Sequence, residues 1–210
     1  MDMIVSHKNN FIFFKTLKTA GSSIQAALSS ICGPDDILIG IMMIDGVLPD
    51  RPSRGQLRQF RNSLVPKTYT EVSQYYNVPD FFSFGFVRNP YDLVVSRYHW
   101  DAAKFGRESP IEGFKAWTKH YIQERAYKDL QHPYLGTEDS ILVDFVGRYE
   151  NISEDYKKIE KFINCKLPDL THEKRGYRDK NVHYSSYYDE ETTKLIYNFF
   201  KLDFKLFNYN

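Results

Sequence analysis

The sequence contains no run of about 18 consecutive apolar residues, so no segment reads as a membrane span. Met1 to Asn10 lacks a basic start followed by a sustained apolar stretch, and we expect a soluble, unprocessed, cytoplasmic protein. Cysteine is scarce. Cys32 and Cys165 show no Cys-x-x-Cys spacing and read as structural thiols of a reducing compartment, their pairing left open by the sequence. His7, His99, His120, His132, His172 and His183 form no His-x-x-x-His pattern and no Cys/His set, so no metal site is expected. A net charge of +1 gives no polyanion signature, and no nucleic-acid partner is expected. Repeats, low-complexity tracts and a Pro/Gly/Ser-rich linker are all missing, which predicts one domain over residues 1–210. Nothing in the sequence signals an oligomeric state.

What is present begins with Phe11 to Phe14, a short aromatic and β-branched run suited to a buried strand, followed by Lys18-Thr19-Ala20-Gly21-Ser22-Ser23-Ile24. Ile24, Ala27, Leu28 and Ile31 have helical spacing, so a helix starts near Gly21. Its first turn offers backbone N–H groups and the positive end of the dipole, and Lys18 adds a full charge. Gly21 lacks the Cβ that would hold an anion off, and Ser22 and Ser23 add hydroxyls. The stretch reads as an anion cradle, and equally as an ordinary turn with a serine cap. It is not a nucleotide-binding Gly-x-x-x-x-Gly-Lys-[Ser/Thr] loop, because the lysine precedes the glycine.

A second strand-to-helix junction lies at Phe86-Val87-Arg88-Asn89-Pro90, with Asn89 suited to an N-cap and Pro90 to the first helical position. Arg88 would then stand at the carboxyl end of a strand, where open α/β sheets bind ligands, and would share an edge with Lys18 if both strands are parallel in one sheet. An arginine there can fork onto a phosphate, or pair locally with Asp92. Elsewhere, 34–79 reads as loop with short helices carrying Arg51, Arg54, Arg58 and Arg61, and 110–125 as a helix with Phe114, Trp117 and Tyr121 on one face. His132 to Thr137 reads as a turn, 140–152 as containing a strand, and Ser153 onward as a capped amphipathic helix. Lys174 to Lys180 is a basic loop before a last helix over 189–200.

The two junctions together resemble the signature elements of sulfotransferases that use 3′-phosphoadenosine 5′-phosphosulfate (PAPS). The likeness is nearest to the carbohydrate branch that acts on heparan- and chondroitin-like glycans. Arg148-Tyr149-Glu150-Asn151-Ile152 and the stretch from His183 to Tyr209 resemble that branch too. The resemblance implies an α/β, P-loop-like three-layer fold with a central parallel sheet flanked by helices. It implies that Lys18, Thr19, Ala20, Gly21, Ser22, Ser23 and Ile24 surround the 5′-phosphosulfate, that Arg88 and Ser96 bind the 3′-phosphate, and that a loop containing Arg175 and Lys180 covers the nucleotide. Lys18 would be catalytic, the product PAP, the acceptor a small molecule or glycan bearing a hydroxyl or amine, and no metal would be required.

The general base departs from the family pattern, which often places a histidine or glutamate between the signatures, whereas residues 33–98 contain no histidine. Asp45, Asp50, Glu71 and His99 are the candidates, each also readable as a solvated carboxylate or a packed histidine. Two other functions compete: a catalytically silent module that binds PAP or another phosphorylated ligand, and a P-loop nucleotide kinase. The second is disfavoured by the lysine-glycine order and by the lack of a carboxylate pair for magnesium.

Overall fold

The computed structural model describes residues 3–39, 68–170 and 181–210. Its contacts divide the chain into two compact units, Met1–Val87 with Pro133–Glu173, and Arg88–His132 with Lys174–Asn210.

The first unit is built on a five-stranded sheet in the order β3-β1-β2-β4-β5. The strands are β1 (Met3–Ser6), β2 (Phe11–Phe14), β3 (Ile37–Ile39), β4 (Phe82–Val87) and β5 (Phe145–Arg148). β2, β4 and β5 run parallel, whereas β1 is antiparallel to both β2 and β3, so the sheet is mixed rather than wholly parallel. The reason is local: only the polar turn from His7 to Asn10 separates β1 from β2, and a turn that short can only reverse the chain. β1 and β3 were not foreseen.

Alternation along the strands creates two buried faces. Ile4, Phe11, Phe13, Leu38, Phe84 and Phe86 pack against Ile24, Ala27 and Leu28 of α1 (Gly21–Ile31) and Tyr156, Ile159 and Ile163 next to or within α6 (Ile152–Phe162). On the opposite face Phe14 stacks on Tyr69 of α2 (Tyr69–Val72), and Gly85 lies under Leu135 of α5 (His132–Leu135). Helix, sheet and helix thus form the three layers of the expected α/β, P-loop-like fold. Each fully buried phenylalanine contributes about 1.5–3 kcal/mol, and β2 holds three of them, at 0–1 % exposure.

The second unit is helical: α3 (Pro90–Lys104), α4 (Ile111–Glu124), α7 (Glu190–Phe199) and α8 (Lys201–Leu206). Its core is aromatic, with Tyr98, Phe114, Tyr121, Tyr187, Phe200 and Phe204 buried around Leu93, Val94 and Ile196. Among the described residues no helix is long and apolar enough to cross a membrane.

The turn between β1 and β2 is tied to the end of α1 by one carboxylate. Asp36 accepts hydrogen bonds from Ser6 Oγ (2.7 Å), the His7 N–H (2.7 Å), the Lys8 N–H (3.0 Å) and the Gly33 N–H (2.8 Å). Burial pushes its carboxyl up, but the bonds from Gly33, Lys8, Ser6 and His7 outweigh that and hold it below its ordinary 3.8. A depressed carboxyl contributes stability that is complete above about pH 4 and is lost as pH falls through the lower folded value. Asp36→Asn turns an amide N–H towards these donors and should cost about 1–3 kcal/mol at neutral pH while flattening the acid limb of the stability profile. Thermal melts of both proteins from pH 2 to 7 test this, and parallel profiles would refute it.

Candidate active site

Where β2 ends, the chain forms a fastened loop. Thr16 Oγ1 donates to the Phe86 carbonyl of β4 and lies 2.9 Å from Thr19 Oγ1, both threonines being buried. Lys18 and Ala20 then adopt left-handed backbone, at φ 62° and 59°, with Thr19 between them outside that region. For a residue with a Cβ this conformation costs roughly 1–2 kcal/mol. Left-handed residues of this kind are an ingredient of the backbone nests that bind anions. Lys18 and Ala20 stand in one loop, immediately before a helix.

The helix that follows is suited to the same purpose. Ala20, at the N-cap of α1, supplies no side-chain acceptor, and no acidic residue lies in the first turn to balance the positive end of the dipole. Ser23 is buried, Ser22 is half-buried, and the Ser23 and Ile24 N–H groups donate to the Ala20 carbonyl. Lys18, Thr19, Ala20, Gly21, Ser22, Ser23 and Ile24 therefore form one continuous cradle inside the first unit.

Gly21 has a different role from the expected one. A Cβ built on it would lie 2.6 Å from Lys15 Cγ and 3.2 Å from the Thr16 carbonyl, so the glycine makes room for a side chain beneath the loop. That side chain belongs to Lys15, which is 7 % exposed and donates through Nζ to Gln25 Oε1 at 2.8 Å. Gln25 Nε2 in turn donates to the Ile39 carbonyl of β3 at 3.0 Å. Lys15 brings a second cation under the cradle. The sequence carried a signal for it, a lysine closing an otherwise apolar strand.

The second junction forms as expected. Asn89 caps α3 by accepting from the Tyr91 N–H at 2.9 Å, and Pro90 opens the helix. Arg88, directly after β4, is 8 % exposed, and its Nε donates to Asp92 Oδ2 at 2.8 Å, so the local ion pair is real. Ser96 lies one turn beyond Asp92 on the same face of α3 and is half-buried. β2 and β4 are parallel neighbours in the sheet of the first unit.

Two of the four base candidates are already engaged. Glu71 closes a capping box with Thr68, accepting from its N–H at 3.0 Å. His99 is buried, with Nε2 2.8 Å from the Tyr187 hydroxyl and Nδ1 2.7 Å from Ser109 Oγ. Asp45, Asp50, Arg175 and Lys180 lie outside the described residues. Cys32 and Cys165 are free thiols, and burial beside Asp36 pushes the Cys32 thiol up to about 12, far from a nucleophile at neutral pH.

A strand is followed by a lysine-bearing loop and a helix N-terminus, and all 210 residues match the family model described as "Sulfotransferase family". The chain belongs to the sulfotransferase family. Among solved structures, the crystal structure of a sulfotransferase from Alicyclobacillus acidocaldarius is similar to it at 19 % identity, covering 93 % of this chain and 92 % of that one, with a TM-score of 0.46. No curated protein matches it.

The geometry of this sulfotransferase makes two positions testable. Gly21→Ala must displace the Lys15 side chain near its base and should lower stability by about 1–3 kcal/mol. Ala20→Gly relieves a left-handed alanine and should raise stability by about 0.4–1 kcal/mol. Urea titrations of the two variants are expected to move in opposite directions, and a shared direction would contradict the cradle's geometry.

Proposed function

We propose that this sulfotransferase moves a sulfuryl group from PAPS to a hydroxyl or amine of a carbohydrate acceptor, working as one domain over residues 1–210. The observation that carries the reading is the pair of left-handed residues, Lys18 and Ala20, at the N-terminus of α1. PAPS supplies an activated sulfuryl group on a phosphate leaving group, and a bisphosphorylated nucleotide needs an anion site at each end. The cradle from Lys18 to Ile24 suits the 5′-phosphosulfate, and Arg88 with Ser96 suits the 3′-phosphate. Arg175 and Lys180 belong to the reading through the family resemblance alone, as the cover of the nucleotide.

In this reading the acceptor oxygen or nitrogen forms a bond to sulfur as the bond from sulfur to the phosphate oxygen breaks, in line. Lys18 and the positive end of the α1 dipole stabilise the charge that gathers on that departing oxygen. The acceptor's proton passes to a base; of the described candidates, Glu71 closes a capping box and His99 lies between two hydroxyls. A sulfuryl group carries less charge than a phosphoryl group, so fixed cations suit it without a metal. The free cysteines agree with a reducing, cytoplasmic setting.

Lys18→Ala should reduce kcat by about 10²–10³-fold while PAP binding weakens by no more than about tenfold. Transfer of ³⁵S from labelled PAPS to a panel of oligosaccharides measures the first, and calorimetry with PAP the second. Undiminished turnover would remove Lys18 from the chemistry. PAP binding by the unaltered protein with no transfer to any acceptor would favour a silent binding module.

A further inference from the structure

We propose that Gln131 is a positioning residue for Arg88, locking its backbone so that the guanidinium is presented in one orientation, and that Asp203 holds Gln131 in place. The inference rests on Arg88 as the ligand of the nucleotide 3′-phosphate. All the residues involved belong to the second unit.

Arg88 falls between the last residue of β4 and the N-cap of α3, where neither a strand ladder nor a helix pairs its peptide groups. A buried backbone N–H and C=O left there would each cost about 1–3 kcal/mol. Gln131 meets both at once: the Arg88 N–H donates to Oε1 at 2.7 Å, and Nε2 donates to the Arg88 carbonyl at 2.9 Å. A single side-chain amide thus copies the reciprocal pairing of a neighbouring strand and fixes the Arg88 peptide at its Cα.

Gln131 is itself completely buried and held from behind. Asp203 of α8, also completely buried, accepts from the Gln131 N–H through Oδ2 at 2.8 Å. Through Oδ1 it accepts from the His132 N–H at 2.9 Å and meets His132 Nδ1 at 2.7 Å. The carboxylate therefore fixes two successive residues, and the glutamine amide carries that order across to Arg88. At the other end of the arginine, Asp92 takes Nε. Backbone and Nε both being held, the guanidinium plane has little freedom, and planar recognition of a phosphate depends on such precision.

A merely structural Gln131 would affect folding without affecting which nucleotide is preferred. PAP and AMP differ only by the 3′-phosphate, so the ratio of their affinities, measured by calorimetry, isolates the contribution of Arg88. Gln131→Met preserves the volume and removes both hydrogen bonds; it should lower the PAP/AMP ratio about tenfold with AMP affinity unchanged. Arg88→Ala should lower the ratio at least as far, and the double variant no further than Arg88→Ala alone. A ratio unchanged by Gln131→Met but collapsed by Arg88→Ala overturns the positioning role and leaves the 3′-phosphate reading standing. A ratio that Arg88→Ala leaves intact overturns that reading and the positioning role with it. Should Gln131→Met fail to fold, Asp203→Asn keeps the shape but accepts through one oxygen only. It should lower the ratio about threefold, and an unchanged ratio there overturns the proposal equally.

Discussion

The parallel pairing of β2 with β4 is the constraint on which the candidate site depends. Its register runs from Phe11 opposite Phe82 to Phe14 opposite Gly85. At that last pair, a Cβ on Gly85 would lie 2.7 Å from the Phe14 carbonyl and 2.4 Å from Leu135 Cδ2, so the close approach requires glycine. One step later the Thr16 hydroxyl reaches the Phe86 carbonyl. The loop that bears Lys18 is thus fixed to the neighbouring strand before it turns, and the left-handed residues at 18 and 20 are imposed by anchors on both sides.

The two units hold charge by contrasting means. In the first, backbone direction and a helix terminus create the positive field, and Lys15 and Lys18 add to it. In the second, side chains carry the order: Asp92 holds the guanidinium of Arg88, and Gln131 holds its peptide. Backbone fields cost nothing to reorganise when charge moves, which suits a group under attack. A guanidinium fork discriminates shape, which suits a phosphate that is recognised but left unchanged.

What was legible in the sequence was local. Phe11 to Phe14, the helix at Gly21, and Asn89 with Pro90 were readable because each depends on residues within one turn of itself. β1 and β3 were not, because Met3–Ser6 and Ile37–Ile39 lack the aromatic run that marks β2, and their status comes from the pairing of β1 with β2 and with β3. His132 to Leu135, expected as a turn, is a short helix whose first residue is held by Asp203, 71 positions away. Gln131 shares that cause: its hydrogen bond to Arg88 spans 43 residues, and no pattern within one segment contains such information. Lys18 stood out beside a glycine and two serines, whereas Lys15 carries no such local pattern, and its partner Gln25 lies ten residues on.

Lys15 and Gly21 have a consequence that neither position shows alone. The glycine is required because a long side chain passes beneath it, and that side chain lies flat because nothing projects from position 21. The two positions are therefore one choice made in two places. A shorter residue at 15 would open space for an alanine at 21, whereas either change by itself leaves a void or an overlap. Substitutions there should be epistatic, and glycine at 21 is conditional on the company it keeps.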